Sequence, residues 1–133
     1  MSEELVEAVL GELERRGLRI KRPVTLQGAS GYEYELKALV EDVRTGKSLA
    51  VAFVERVGPE SVLPLLAHRI DLDVVEVVVT EHLDESSAEL LRAAGMHVVE
   101  ISRCDPAEGA DLICELLKLQ LGRGRRGQPG LSR

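Results

Sequence analysis

The order of apolar and polar residues predicts an amphipathic helix at the N-terminus. Apolar residues recur there at helical spacing, at Leu5, Val6, Val9, Leu10 and Leu13. Ser2 is suited to cap the start of this helix, and Gly17 is suited to end it. We therefore expect a first helix of about 15 residues, which is an ordinary helix length.

The segment that follows changes to the period of two that is typical of strands. Residues 18–26 contain short β-branched stretches interrupted by Pro23, which suits an edge strand. Residues 32–43 and 47–57 have the pattern of two longer strands, joined by a hairpin turn that contains Gly46. The first half of the chain is thus predicted to hold one helix and three strands.

The second half alternates helices with apolar strands. Pro59 and Pro64 bracket the start of a predicted helix over residues 59–70, with core positions at Val62, Leu65, Leu66 and Ile70. The runs 73–80 and 96–101 are apolar enough for strands buried on both faces, and the helices after them are predicted to be capped by Asp84 and Asp105. Because parallel strands need helix-length crossovers, we predict an α/β fold with a mixed sheet between two helical layers.

Composition restricts the class of protein. Of the 133 residues, 44% are hydrophobic and 30% are charged. No run approaches the roughly 20 apolar residues of a membrane span, and the acidic N-terminus is unlike a secretory signal. We therefore expect one domain in the cytoplasm. The absence of Asn and the presence of three Gln are typical of a thermophilic source.

The cysteines and histidines give no sign of a metal site. Cys104 and Cys114 lack CxxC spacing, and two buried thiols or a disulfide both remain open for them. The three histidines also lack the spacing of zinc ligands, so we expect them on the surface or satisfied within the core. No metal and no cofactor is predicted from these residues.

Charge is distributed unevenly along the chain. The net charge is −6, but residues 122–133 hold four Arg and no acid, so the remaining residues carry −10. A body that acidic repels a phosphate backbone, and contact with DNA or RNA must come from a local basic region. Two regions qualify: the tail, with Arg123, Arg125 and Arg126, and a basic cluster formed by Arg15, Arg16, Arg19, Lys21 and Arg22. The tail has no apolar face to pack, so we predict a domain over 1–121 and a disordered tail over 122–133.

One predicted strand carries three charges in a row on a single face. In GASGYEYELKALV, residues 28–40, the charged positions Glu33, Glu35 and Lys37 alternate with apolar ones. From the residues alone, this row is an active site, the remainder of one, or a solvated face.

The same stretch, followed by GKSLAVAFVERVGPESV and VEVVVTEHLDESSAELLRAAGMHVVEI, resembles the restriction-endonuclease-like, or PD-(D/E)xK, superfamily. Within it, the chain is similar to archaeal nucleases akin to Mrr restriction enzymes and Holliday-junction resolvases. The resemblance implies a three-layer fold with a mixed central sheet of about five strands, and a homodimer. Active members use an Asp on one strand and Glu-x-Lys on the next to hold a divalent metal and to stabilise charge on the scissile phosphate.

Carried over to this chain, the catalytic positions depart from the family pattern. The Asp position falls on Lys37, and the Glu and Lys positions fall on Ala52 and Val54, while Glu35 still matches a usual companion. The resemblance therefore implies a catalytically degenerate nuclease domain that binds nucleic acid or a protein partner, with Lys37 pairing to Glu35 or Glu33.

Two alternatives stay open. One is an active, magnesium-dependent endonuclease that uses Glu33, Glu35 and Glu55, since a shifted register puts Glu55 at the Glu position. The other is a scaffold or dimerisation protein with no nucleic-acid role, which the acidic body favours.

Overall fold

The computed structural model describes residues 1–101 and 105–127, with side chains described as far as Lys118. Within these ranges the helices are α1 (Glu3–Arg15), α2 (Pro59–Asp71), α3 (Glu85–Ala93) and α4 (Pro106–Gly127). The strands are β1 (Arg19–Lys21), β2 (Val24–Gln27), β3 (Glu33–Leu36), β4 (Ala38–Asp42), β5 (Lys47–Val57), β6 (Glu76–Leu83) and β7 (His97–Glu100). None of the helices in the described ranges is both long and apolar enough to cross a membrane.

Five strands form the central sheet, in the order β1-β4-β5-β6-β7. β1, β4 and β5 are antiparallel neighbours, whereas β5, β6 and β7 are parallel. The two parallel steps are bridged by α2 and α3, as parallel neighbours require. The predicted mixed sheet of about five strands is confirmed.

Helices cover both faces of this sheet. The side chains of α1 and α4 pack on one face, where Val51, Val77 and Val79 of the central strands are fully buried. The side chains of α2 and α3 pack on the other face, around Val78 and Val98. Because β-strand residues alternate between faces, the continuous apolar runs of β5 and β6 supply both cores.

A separate two-stranded sheet, β2 with β3, was not predicted. The strand expected over 32–43 is divided at Lys37, because β3 pairs with β2 while β4 pairs with β1 and β5. The edge strand expected over 18–26 is likewise divided into β1 and β2 around Pro23, which lacks the N–H that a ladder needs. The first half therefore has five strands rather than three. The hairpin rests on the central sheet through an apolar cluster around Leu36, Ala50 and Leu72.

The helix boundaries agree well with the predicted caps. The capping side chains accept backbone hydrogen bonds at Ser2 (from Leu5, 3.2 Å), Asp84 (from Ser87, 3.1 Å) and Asp105 (from Glu108, 3.2 Å). Gly17 and Gly95 follow α1 and α3 with φ of 89° and 95°, a conformation that favours glycine after a helix.

Two helices differ from expectation. Ile70 was predicted to be buried, but 82% of it is exposed, because it lies on the side of α2 opposite the sheet. α4 continues to Gly127, six residues beyond the end predicted at Leu121. Residues 122–127 are thus helical in the structure, whereas residues 128–133 lie outside the described residues and disorder there stays a prediction.

Candidate functional site

The row of charges predicted on one strand ends at the junction between the two sheets. Ala38, the first residue of β4, lies opposite Val51 in the antiparallel ladder with β5. Lys37 directly precedes this ladder and lies outside it, and extension of the register by one step would set Lys37 opposite Ala52. Lys37 is exposed, whereas Ala52 and Val54 are half-buried against the core under α2 and α3.

The residues at these positions do not fit a divalent cation. Ala52 and Val54 have no side-chain oxygen, and the ammonium of Lys37 repels a metal ion held nearby. Among the residues that the structure describes, no group of three or more His, Cys, Asp or Glu side chains lies close enough together to hold a metal. No reaction step through a metal follows from this arrangement.

Glu33 and Glu35 lie on the small sheet, where they are exposed opposite Gln27 and Thr25. Neither forms an ion pair with Lys37 among the described residues, so the predicted pairing is wrong. The prediction assumed that Glu33, Glu35 and Lys37 alternate along one strand. The chain instead passes from the small sheet to the central sheet at Lys37, which interrupts that alternation.

Glu55 points away from Lys37 and Ala52. Alternation along β5 puts it on the face of α1, where its carboxylate lies 3.8 Å from the N-terminal amine of Met1 and is 65% exposed. Glu33, Glu35 and Glu55 are therefore not brought together as a set of metal ligands within the described chain.

Each member of the basic cluster has an acidic partner. Arg22 makes two hydrogen bonds of 2.6 Å to Glu7, and this pairing lowers the pKa of the Glu7 carboxyl. Arg19 and Lys21 share Glu41, at 3.8 and 3.6 Å.

The two arginines at the end of α1 are paired in the same way. Arg15 and Arg16 both contact Glu12, and Arg16 also binds Asp111 at 2.8 Å. Because its charge is largely neutralised by these partners, the cluster offers little net charge to a phosphate backbone. The side chains of Arg123, Arg125 and Arg126 lie outside the described residues.

A hydrogen-bonded pair of a half-buried histidine and a buried glutamate, which the sequence did not predict, joins α2 to β6. Nδ1 of His68 lies 3.1 Å from Oε2 of Glu76, whose side chain is only 2% exposed. The hydrogen bond to Glu76 raises the pKa of His68, against the opposing effect of partial burial. The second carboxylate oxygen, Oε1, is buried without a hydrogen-bond partner in the structure. A lone Glu inside the apolar run DVVEVVVT was the available signal, since a buried carboxylate needs a partner.

Next to this pair, Asp71 fixes the hairpin to the end of α2. Its carboxylate accepts hydrogen bonds from the backbone N–H of Ser30 (2.8 Å), the hydroxyl of Ser30 (2.6 Å) and the hydroxyl of Tyr34 (2.8 Å). These bonds, those of Ser30 first, lower the pKa of Asp71. We call Asp71, Ser30 and Tyr34 the hairpin clamp. The ring of Tyr34 also packs edge-on against His68, with centroids 5.0 Å apart.

Of the two cysteines, only Cys114 lies within the described residues. Cys114 is a free thiol, half-buried on α4, and burial raises its pKa. Cys114 is therefore not joined to Cys104 by a disulfide in this structure. Cys104 lies outside the described residues, so the burial of its thiol stays a prediction.

Comparisons with known proteins bear on the fold. No family model matches the chain. Over 93 residues the chain is 31% identical to an uncharacterized protein of Archaeoglobus fulgidus, a match that covers 70% of this chain and 72% of that protein.

Two solved structures resemble the fold. The protein of unknown function AF1548 gives a TM-score of 0.56 at 16% identity, over 71% of this chain and 56% of that one. A repair endonuclease from Pyrococcus abyssi gives 0.51 at 14% identity, over 77% of this chain and 48% of that one. The chain thus spans about half the length of each. These likenesses confirm the predicted restriction-endonuclease-like fold, and at such identities they show the fold alone.

Proposed function

Because the chain belongs to the same family as the uncharacterized protein of Archaeoglobus fulgidus and has a nuclease-like fold, we propose that it is a nuclease-fold domain that binds without cutting. Its ligand is a nucleic acid or a protein partner. The observation that carries this proposal is the alignment of an exposed Lys37 with Ala52, where the resemblance expects metal-binding carboxylates.

The chemistry of metal-dependent hydrolysis explains why this replacement matters. A nuclease of this kind needs two carboxylates close in space to hold the cation that activates water. Here one position is a fixed positive charge, and two are apolar side chains packed in a core. Restoring a cation site therefore requires carboxylates at both Lys37 and Ala52, and a Lys at Val54 would restore the charge that faces the scissile phosphate.

Incubation of the full chain with plasmid, single-stranded and branched DNA, in magnesium and in manganese, tests the loss of cleavage. We expect no cutting above a protein-free control. Metal-dependent cutting that disappears in Glu35→Ala or Glu55→Ala would overturn the proposal in favour of an active enzyme with relocated carboxylates. Cutting that survives both changes is assayed again after purification under denaturing conditions and refolding. Cutting that persists contradicts the proposal, and cutting that is lost came from a contaminating nuclease.

Binding to nucleic acid, if it is the function, depends on the tail. The paired basic cluster contributes little net charge, whereas the tail over 122–133 carries four Arg and no acid. Fluorescence anisotropy with labelled duplex DNA and with RNA at low salt measures this binding. We also propose that the protein forms a homodimer, as the family resemblance implies.

The scaffold function is favoured by one specific observation, namely the ion pairing throughout the basic cluster. It predicts no binding of DNA or RNA even at about 50 mM salt, where electrostatic attraction is weakly screened. Binding that weakens steeply with added salt excludes it.

A further inference from the structure

A cavity of about 610 Å³ lies between β7 and α4, at the end of the sheet where β6 and β7 begin. Its apolar lining includes Val75, Val99, Leu112 and Leu116. Leu112 is 39% exposed, and the other three side chains pack against the core but are only half-buried. We call this space the apolar cavity. It has the volume of a small-molecule site, and an apolar ligand in it would complete the burial of these side chains.

Arg69 lies at the boundary between the apolar cavity and a second, more polar one. The polar cavity has a volume of about 410 Å³, and Arg69 lines it together with Ser48 and Asp73. Nε of Arg69 donates to the Ala94 carbonyl at 2.9 Å, so the guanidinium is held in place. A Cβ at position 95 would lie 3.0 Å from the same Nε, and Gly95 leaves that space open. The two other nitrogens, Nη1 and Nη2, have no hydrogen-bond partner within the part of the chain that the structure describes.

The charges around the apolar cavity leave Arg69 without a counterion. Arg92 also lines the cavity, but it lies 3.7 Å from Glu85. Glu115, on the α4 side, lies 3.9 Å from Lys118. Among the side chains that the structure describes, no carboxylate lies within ion-pairing distance of Arg69. A ligand that pairs with the remaining charge is therefore an anion.

Asp73 restricts the charge of that anion. This residue is exposed and lines the polar cavity together with Arg69. A ligand with two negative charges, such as a phosphate monoester, would be repelled there. A carboxylate carries one negative charge and accepts two parallel hydrogen bonds from a guanidinium.

We propose that the apolar cavity binds a free aliphatic carboxylate, with its chain against Val99 and Leu112 and its carboxylate on Arg69. The C-terminus of a peptide fits less well, because a strand added to β7 needs the outward carbonyl of Val98. That carbonyl already accepts a hydrogen bond of 3.1 Å from Arg92.

This site is separate from the positions that carry the proposed function. None of Lys37, Ala52 and Val54 lines either cavity. Binding of an aliphatic carboxylate therefore stands or falls independently of the proposed lack of cleavage.

Isothermal titration calorimetry on the full chain at about pH 7.5, where a carboxylate is ionised, tests the site with three probes. Decanoate, below its micelle-forming concentration, is expected to bind one per chain with a dissociation constant below about 1 mM. Acetate has the head group without the chain and is expected to show no saturable binding. Decyltrimethylammonium has the chain with the opposite charge and is expected to bind at least about tenfold more weakly than decanoate.

Paired variants locate the site. Arg69→Gln is expected to weaken decanoate binding by about tenfold or more, because the charged hydrogen bonds are lost. Arg56→Gln is the matched control, since Arg56 is also exposed and lines neither cavity, and its change leaves the affinity unaltered. Leu112→Asp is expected to abolish saturable binding, whereas Leu90→Asp, at another exposed leucine (59%), leaves it unaltered. Far-UV circular dichroism identical to wild type shows that each variant is folded.

The comparison of decanoate with decyltrimethylammonium needs only the wild type, so it tests the proposal even where a variant fails to fold. Absence of saturable decanoate binding, or equal affinity for the two probes, overturns the proposal. So does an affinity for decanoate that folded Arg69→Gln or Leu112→Asp leaves unaltered. A loss of affinity in Arg56→Gln as large as that in Arg69→Gln also overturns it, since the attraction is then not specific to the cavity.

Discussion

The pair between His68 and Glu76 makes the stability of the protein depend on pH in a specific direction. The pKa of His68 is raised in the folded protein by its hydrogen bond to Glu76. A group with a raised folded pKa contributes stability that is fully present below its unfolded value of 6.5 and is lost as pH rises through the folded value. The free energy of unfolding is therefore expected to fall between about pH 6 and pH 9.

The size of the effect follows from the burial of the pair. A hydrogen bond to a charged group contributes about 1.5–3 kcal/mol net. The Glu76 side chain is 2% exposed, but that of His68 is 22% exposed, so solvent screens part of the attraction. We therefore expect the lower end of the range, about 1.5–2 kcal/mol.

Urea unfolding of the wild type and of Glu76→Gln measures this contribution. The variant keeps the volume of the side chain but removes its charge, so its stability is expected to change little with pH in this window. The difference in the free energy of unfolding between the two proteins should shrink by about 1.5–2 kcal/mol from pH 6 to pH 9, at one protein concentration. The remaining titrating groups are common to both proteins and cancel in this difference. Parallel curves, or a wild type that gains stability relative to the variant as pH rises, refute the reasoning.

Three further predictions concern the hairpin and the tail. Gly28→Ala is expected to destabilise the protein by about 1–3 kcal/mol in urea unfolding, because the new Cβ would collide with the carboxylate of Asp71; an unchanged midpoint contradicts this. The pKa of Asp71 is lowered, so the hairpin clamp contributes stability that is lost as pH falls through the folded pKa of Asp71. In the wild type, protection of the backbone amides of residues 24–36 from hydrogen exchange should fall over that pH range. In Asp71→Asn these amides should be poorly protected at every pH. Deleting residues 122–133 is expected to leave thermal stability nearly unchanged. It should also reduce the magnitude of the slope of log affinity for duplex DNA against log salt concentration, by about 0.9 for each phosphate that the tail no longer neutralises. An unchanged slope assigns binding to the basic cluster.

The layered fold was predictable because local signals agreed with one another. Caps at Ser2, Asp84 and Asp105 stand before segments of helical period, and the apolar runs around Val78 and Val98 are long enough only for buried strands. Alternation of helix and strand then required parallel crossovers.

The small sheet was not predictable from the same signals. A period of two continues without a break from Tyr34 through Leu36 to Ala38, and it reports which face a residue occupies but not which sheet the strand joins. The change at Lys37 is set by long-range contacts, in which Leu36 packs with Ala50 and Leu72.

The register of the candidate site was predictable from the sequence, whereas the ion pairs around it were not. The alignment of Lys37 with Ala52 follows from the hairpin register around Gly46, which is local. Arg16 and Asp111 pair across a long sequence separation that no periodicity indicates, whereas Glu12 pairs with Arg15 and Arg16 at helical spacing. His68 is a satisfied, half-buried histidine, as expected, but its partner Glu76 had not been identified.

Calorimetric titration of magnesium into a restored site tests the central claim most directly. The triple change Lys37→Asp, Ala52→Glu, Val54→Lys puts one carboxylate just before the β4 ladder and a second at the β5 position that the extended register sets opposite it. We predict no magnesium binding by the wild type, measurable binding by the triple variant, and none by a control that carries Ala52→Gln in place of Ala52→Glu. Binding by the wild type that depends on Glu35 or Glu55 contradicts the account, and so does a triple variant that is folded and binds no magnesium.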